Sequence, residues 1–244
     1  MQQDLALDGG GLAPALDARL RDASPQAVLE TALGLLGDRV ALVSSFGAES
    51  AVLLHMAAEV DPHVAVLFLD TGMLFGQTLD YRQTLAAELG LTNVRDLRPA
   101  YQDLAVQDPA QGLWKTDANA CCAVRKVAPL DLALADFDGW ITGRKRFQGG
   151  RRLQLKVVEQ SDSKLKFNPL AGWSKMQIDD YATRHALPAH PLVEFGYPSI
   201  GCWPCTKPAE TDDLRAGRWA GSAKTECGIH LARAQADYGV GGDI

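Results

Sequence analysis

Arg39-Val40-Ala41-Leu42-Val43-Ser44-Ser45-Phe46-Gly47-Ala48-Glu49-Ser50 is the stretch that decides the fold. Its first half is a short apolar run with no polar alternation, which reads as a parallel strand buried on both faces. Its second half is a run of small residues and hydroxyls, after which residues 51–59 continue as a helix. Strand, small-residue loop and helix, in that order, present backbone N–H groups and the positive end of a helix to a phosphate. Gly47 permits close approach of the backbone to a ligand, and Ser44, Ser45 and Ser50 add hydroxyl donors. The loop lacks the Gly-Lys-Ser/Thr ending of a Walker A loop and the spacing of a Gly-x-Gly-x-x-Gly loop. An ordinary strand-to-helix turn is the competing reading.

Outward from that stretch the pattern repeats. Residues 63–69 (His-Val-Ala-Val-Leu-Phe-Leu) form the clearest strand, ended by Asp70-Thr71-Gly72 and followed by a helix over 75–89. Residues 94–97 form a weaker strand, 139–142 a short one, and 166–170 a further strand or edge segment. Strands alternating with helices imply an α/β protein with a parallel sheet and right-handed crossovers. Ligands in such sheets sit beyond the C-terminal ends of the strands, where the loops at 44–50 and 70–72 both fall.

The helical spacing over 14–37 breaks near Ser24-Pro25, and Ser174-x-x-Gln177 is a capping box opening a helix to about residue 186. Residues 104–120 are polar and carry no clear pattern. Residues 121–136 read as a helix with Pro129 as a kink or break. The prolines and glycines between 191 and 208 predict a constrained loop. Three glycines at positions 9 to 11 mark residues 1–11 as disordered. Residues 12–206 then form one domain, and residues 207–244 a flexible C-terminal segment.

The chain has 244 residues, 47% hydrophobic and 22% charged, with a formal net charge of −6. That balance argues against a general nucleic-acid or membrane-surface binder, so any anion site is a local basic cluster. One such cluster is Arg144-Lys145-Arg146 with Arg151-Arg152, five cations in nine residues at a strand end. A solvated charge run is its bland reading. No apolar run is long enough to span a bilayer, and the start of the chain lacks signal-peptide character, so the expected location is cytoplasmic.

There are five cysteines. An odd number in a reducing compartment disfavours a disulfide framework. Cys121-Cys122 and Cys202-x-x-Cys205 make four thiolates able to hold tetrahedral zinc or a [4Fe–4S] cluster. Adjacent side chains on a helix point about 100° apart, so the pair reaches one large cluster more easily than one small ion. A redox Cys-x-x-Cys beside two buried thiols is the alternative. Lys126 follows Cys122 by one helical turn and lies near such a centre. Cys227 is the remainder, in Glu226-Cys227-Gly228-Ile229-His230, about ten residues after Arg215 and Arg218. Cysteine reacts as its thiolate, and nearby cations favour that form while Glu226 opposes it. The bland reading is a free thiol in a loop.

Together these stretches resemble the assimilatory adenylyl-sulfate/phosphoadenylyl-sulfate reductases, a branch of the PP-loop nucleotide-binding fold. The matching segments are the 44–50 loop, Leu69-Asp70-Thr71-Gly72, Cys121-Cys122-Ala-Val-Arg125-Lys126-Val-Ala-Pro-Leu130, Thr142-Gly-Arg144, Asn168-Pro-Leu170, Gly201-Cys-Trp-Pro-Cys205, Arg215-Ala-Gly-Arg218-Trp219 and Glu226-Cys-Gly-Ile-His230. They run in the family's order over nearly the whole chain. The departures are Ile229, usually Leu, and the Ser-Phe order of the loop, which leaves open which hydroxyl meets the ligand.

The resemblance implies a three-layer PP-loop fold (adenine nucleotide alpha hydrolase-like) and a [4Fe–4S] cluster on Cys121, Cys122, Cys202 and Cys205. It implies adenylyl sulfate (APS) as substrate, with the 3′-phosphorylated PAPS, or both, as the alternative. In the implied reaction the Cys227 thiolate attacks sulfur and AMP leaves. Thioredoxin, or a glutaredoxin-like reductant, then releases sulfite. Lys126, Arg215, Arg218 and His230 take phosphosulfate contacts. Ser44, Ser45, Gly47, Ser50, Asp70, Thr71, Gly72 and Arg144 hold the nucleotide. An ATP pyrophosphatase of the same fold gives no role to Cys227, and a non-enzymatic iron–sulfur sensor tolerates its loss. A homo-oligomer is left open.

Overall fold

The structure, a computed structural model, describes residues 11–209, 213–222 and 224–230. The expectation of disorder at 1–11 therefore falls, over 1–10, outside the described residues, as do positions 210–212, 223 and 231–244 of the C-terminal segment.

Helices α1 (Leu12–Leu20) and α2 (Pro25–Leu36) come first, parted at Ser24. The Ser24 hydroxyl accepts the Ala27 N–H at 3.2 Å, and Pro25 fits the first turn because its missing N–H has no partner to lose there. Strand β1 (Val40–Ser44), α3 (Ser50–Val60), β2 (Ala65–Leu69), α4 (Gly76–Glu88) and β3 (Val94–Leu97) follow in the expected alternation. The polar stretch after β3 resolves into α5 (Tyr101–Gln107), α6 (Leu113–Thr116) and α7 (Ala118–Cys122). Asp117 caps α7 by accepting the N–H groups of Asn119 and Ala120 at 2.8 and 2.9 Å. A π turn (Ala123–Val127) leads into α8 (Ala128–Leu134), then β4 (Gly139–Thr142), β5 (Val158–Ser161), β6 (Lys164–Phe167) and α9 (Lys175–Arg184). Ser174 and Gln177 close the capping box of α9.

The six strands lie in the order β3-β2-β1-β4-β6-β5, parallel throughout except for β5, which runs antiparallel to β6. Alternate residues of β1 and β2 serve two cores. Val40, Leu42, Val66 and Phe68 face the larger one, with α1, α2, α3, α4 and α9. Ala41, Val43, Ala65, Leu67 and Leu69 face the smaller one, with Leu130 and Leu134 of α8. That double burial explains the unbroken apolar runs and makes the fold three-layered. β5 escaped the sequence reading because Glu159, Gln160 and Ser161 are polar, which an edge strand tolerates. Among the described residues no helix is long and apolar enough to cross a membrane.

Pro129 acts upstream of itself. It lacks an N–H, and its ring would crowd the Arg125 carbonyl in a regular helix. The chain widens instead, so that the Ala128 N–H bonds to the Ala123 carbonyl, five residues back.

His190 fastens α4 to the constrained loop. It is fully buried; its Nδ1 accepts the Leu192 N–H at 3.1 Å, so Nε2 carries the proton toward Thr78 Oγ1 at 3.0 Å. Tyr81 adds a bond to the Pro188 carbonyl at 2.8 Å. Burial pushes the His190 imidazole down from 6.5 to about 4. Between those values the unfolded chain holds a proton that the folded one refuses, so stability is full above 6.5 and falls as pH drops toward 4. His190→Gln is expected to flatten that limb of a urea-denaturation pH series; an unchanged slope refutes the assignment.

Candidate active site

One cleft opens at the C-terminal ends of β1 and β4, where the chain turns from building one side of the sheet to building the other. The loop after β1 forms its floor. Ser44 Oγ accepts the Phe46 N–H at 3.1 Å, and Phe46 adopts a left-handed backbone (φ 47°) held by its ring packed edge-on against Phe68. A Cβ on Gly47 would stand 3.2 Å from the Ile200 carbonyl oxygen, so the loop and the 198–201 segment approach as closely as a glycine allows. Ser44, Ser45, Gly47 and Ser50 all line the cleft, as do Thr71 and Arg144.

Asp70 and Gly72 do not line it. Asp70 accepts the Gly72 N–H at 3.1 Å and pairs with Arg98 at 2.9 Å, while Gly72 takes the left-handed backbone (φ 70°) that lets the turn pass Arg125. These two residues shape the turn, and Thr71 is the member of the trio that reaches the cavity.

The four cysteines gather behind the cleft wall. Cys121, Cys122 and Cys202 are buried and Cys205 is half-buried. Cys122, Cys202 and Cys205 all lie within electrostatic reach of Cys121. Burial pushes the Cys121 thiol up to about 12 and raises those of Cys122 and Cys205. Burial acts on Cys202 in the same direction, but Lys126, the Thr71 hydroxyl at 3.2 Å and Arg218 outweigh it and hold that thiol below its ordinary value. Four thiols gathered in one place are the donor set that either a zinc ion or an iron–sulfur cluster takes.

The Cys-x-x-Cys loop and the arginine segment are one unit. Thr206 bridges to Arg218, the Lys207 N–H bonds the Gly217 carbonyl at 2.9 Å, and the Trp219 N–H bonds the Cys205 carbonyl at 3.0 Å. A Cβ on Gly217 would stand 2.0 Å from the Lys207 carbonyl oxygen, so only glycine fits there.

Lys126, Arg144, Arg215, Arg218, Cys227 and His230 all face the same cavity. Burial lowers the Lys126 ammonium, yet Cys202, Cys227 and Cys122 outweigh it and raise it overall. His230, expected to contact the phosphosulfate with Lys126, Arg215 and Arg218, is not a cation like them. Burial, with Lys166, Arg144, Arg152 and Arg215 around it, holds its ring well below the ordinary histidine range, so it enters as a neutral hydrogen-bonding group stacked on Trp140. Lys166 is pushed down to about 7 by burial, with Arg144 adding to the effect.

Several functional neighbours were not singled out from the sequence. Glu49 Oε2 accepts from Lys145 at 2.8 Å and from Gln148 at 3.1 Å. Gln148 in turn accepts from Arg152, whose fork grips Glu226. A chain of side-chain bonds thus runs from the β1 loop to the residue beside Cys227. The basic run at 144–152 was the visible half of that signal; its acidic partners were not recognised as such.

A phosphate-type loop at the switch point of a mainly parallel sheet, facing a cleft rich in arginine and one thiol, defines an α/β nucleotide-binding protein of the PP-loop class. The chain belongs to the phosphoadenosine phosphosulfate reductase family, whose domain model matches residues 39–208. It is 50% identical to the adenosine 5′-phosphosulfate reductase of Mesorhizobium japonicum over 90% of this chain and 87% of that one. It is 48% identical to the enzyme of the same name from a Chelativorans species, over 88% and 89%. Among solved structures it superposes on the phosphoadenylyl-sulfate reductase of Candida auris with a TM-score of 0.67 and 28% identity, over 80% of this chain and 96% of that one.

Gly217→Ala is expected to part the arginine segment from the cysteine loop without touching the sheet. Tryptic cleavage at Arg215 and Arg218 is then several-fold faster while the far-ultraviolet circular dichroism is unchanged. Equal cleavage rates exclude the steric role.

Proposed function

We propose that this chain is a reductase of adenosine 5′-phosphosulfate, yielding sulfite and AMP in sulfate assimilation. The observation that carries the reading is that Cys227 shares one cleft with the β1 loop and with Lys126, Arg144, Arg215 and Arg218. A thiolate nearing an anionic sulfuryl group meets repulsion, and positioned cations offset it. The Cys227 thiolate attacks sulfur, the bond from sulfur to the phosphate oxygen breaks, and AMP leaves with its electron pair. Cys227 then carries a thiosulfonate. A thioredoxin or glutaredoxin-like dithiol supplies two electrons, is oxidised to its disulfide and releases sulfite.

Ser44, Ser45, Gly47, Ser50, Thr71 and Arg144 hold the nucleotide, with Asp70 and Gly72 fixing the turn that carries Thr71. Lys126, Arg215 and Arg218 bind the phosphosulfate, and His230 adds a neutral hydrogen bond. Residues 12–206 act as the reductase domain, and the 207–244 segment carries the nucleophile between substrate and reductant. A reducing compartment, the cytoplasm, suits five free thiols.

Cys121, Cys122, Cys202 and Cys205 would hold a [4Fe–4S] cluster, which would supply charge near Lys126 and tie the two cysteine segments together. The gathering of the four thiols and the cations around them support that assignment. The names of the Mesorhizobium and Chelativorans relatives favour adenosine 5′-phosphosulfate over its 3′-phosphorylated form. Arg151 and Arg152 are the candidates for a 3′-phosphate: Arg151 is exposed and lies outside the cleft lining, while Arg152 is buried, lines the cleft and is taken by Glu226.

A single-turnover reaction of anaerobically purified protein with adenosine 5′-phosphosulfate, without reductant, is expected to add one SO₃ group to Cys227 by intact mass and peptide mapping. Cys227→Ser is expected to form no adduct and to keep the cluster chromophore. An adduct from the 3′-phosphorylated substrate alone overturns the substrate class, and none from either, with the cluster intact, overturns the mechanism. Cys202→Ser is expected to lose iron and activity together; full iron retention removes Cys202 from the ligand set.

A further inference from the structure

The arginine cluster of the cleft already holds an anion supplied by the chain. Glu226 sits beside Cys227, and its carboxylate takes the fork of Arg152, Nε to Oε1 at 2.6 Å and Nη2 to Oε2 at 2.9 Å. Arg215 Nη2 stands 3.6 Å from the same carboxylate, and Arg144 is within electrostatic reach. The Glu226 side chain is only 12% exposed, and it lines the same cavity as the three arginines. Arg152 is fixed from its other side by Gln148, which reaches Glu49 of the β1 loop.

The same cavity has donors in excess. Arg144 Nε, Arg218 Nε and Trp219 Nε1 are buried with no hydrogen-bond partner, and all three residues line it. An arginine fork accepts a carboxylate or a phosphate by the same two-pronged geometry. A phosphosulfate entering among these arginines meets the Glu226 carboxylate as a like charge in a water-poor cleft, where repulsion is strongest. Ligand and carboxylate therefore compete for Arg152 and Arg215.

We propose that Glu226 is a resident anion of the phosphosulfate subsite, which substrate displaces on binding. The inference rests on the reading of this cleft as the phosphosulfate site. In the empty protein, Glu226 neutralises Arg152 and latches the segment carrying Cys227 onto the body. When the substrate anion takes the arginines, the carboxylate is released. Because Glu226 and Cys227 are consecutive, that release repositions the nucleophile only when substrate is present. After AMP departs, Glu226 returns to Arg152. Glu226 is in these terms a positioning residue with a competing charge, and it makes no bond to the reacting sulfur.

The test uses holoprotein carrying Cys227→Ser, so that adenosine 5′-phosphosulfate binds without turnover and its affinity can be read by calorimetry. Adding Glu226→Gln keeps the shape and removes the charge. The double variant is expected to bind roughly tenfold tighter, the scale of losing one competing charge-assisted pair. A contact that merely supports the site predicts the opposite sign, so equal or weaker binding overturns the proposal. Failure of the Cys227→Ser protein itself to bind the nucleotide overturns the functional reading and the proposal with it, whereas binding unchanged by Glu226→Gln overturns the proposal alone. A second readout is limited proteolysis, without and with ligand. Tryptic cleavage after Lys224 is expected to be faster in Glu226→Gln than in the wild-type chain, and adenosine 5′-phosphosulfate is expected to speed it in Cys227→Ser but not in the double variant. Cleavage equally slow in all of them excludes the latch.

Discussion

The buried guanidinium of Arg125 is the constraint on which the site depends. It bonds Asp108 at 2.7 and 3.2 Å and the Thr71 carbonyl at 2.9 Å, with both charged side chains almost wholly out of water. A guanidinium buried alone costs several kcal/mol, so these partners are obligatory rather than incidental. Asp108 is itself held by the Leu113 N–H at 2.9 Å. The loop after α5, the end of β2 and the π turn are thereby locked in one register. That register places Lys126 at the cleft, and it sets the Thr71 hydroxyl against Cys202 on a segment distant in the chain. One cation positions the cysteine pair directly and the Cys-x-x-Cys loop through Thr71.

The adjacent cysteines depend on the same neighbourhood. A regular helix would spread their side chains by about 100° and carry Lys126 on in strict register. The chain departs from that geometry in the very next residue, since the π turn begins at Ala123. Pro129 supplies the cause from downstream, because the regular bond it would have made does not exist. The proline that looks like a helix stop is thus a device for the turn that precedes it, and α8 continues beyond it to Leu134.

What was legible in the sequence was local. The β1 strand, its small-residue loop and the Ser174 capping box each follow from neighbours within a few positions, and each stands where the pattern puts it. The four cysteines were legible by type, although their gathering needs Arg125 and Asp108, which no spacing links. The Glu49–Gln148 and Arg152–Glu226 bonds join residues 99 and 74 positions apart, and no periodicity announces such pairs. Asp70 was expected at the nucleotide because Leu69-Asp70-Thr71-Gly72 matches the family and falls beyond the C-terminal end of a strand. Its carboxylate is spent on Gly72 and Arg98 instead. His230 was expected among the phosphosulfate contacts by its match to the family motif, and burial, with the basic side chains around it, keeps it neutral.

The charge balance of the cleft explains why so many cations tolerate one another. The chain is acidic overall, yet this cavity gathers Lys126 and four arginines, a local basic cluster suited to an anion. Folding assembles Arg144, Arg152, Arg215 and Arg218 against their mutual repulsion, and burial lowers Arg144 and Arg215 further. Glu159 and Glu226 offset part of that repulsion, and an anionic ligand offsets more, which is preorganisation in the electrostatic sense. Arg215, Arg218 and Cys227 share one segment of chain. Arg215 and Arg218 are nevertheless fastened to the Cys-x-x-Cys loop through the Thr206–Arg218 bridge and the Trp219–Cys205 bond. In the proposed reaction, Cys227 can therefore turn toward a reductant while these cations stay at the nucleotide, so the thiosulfonate is exposed without dismantling the anion site.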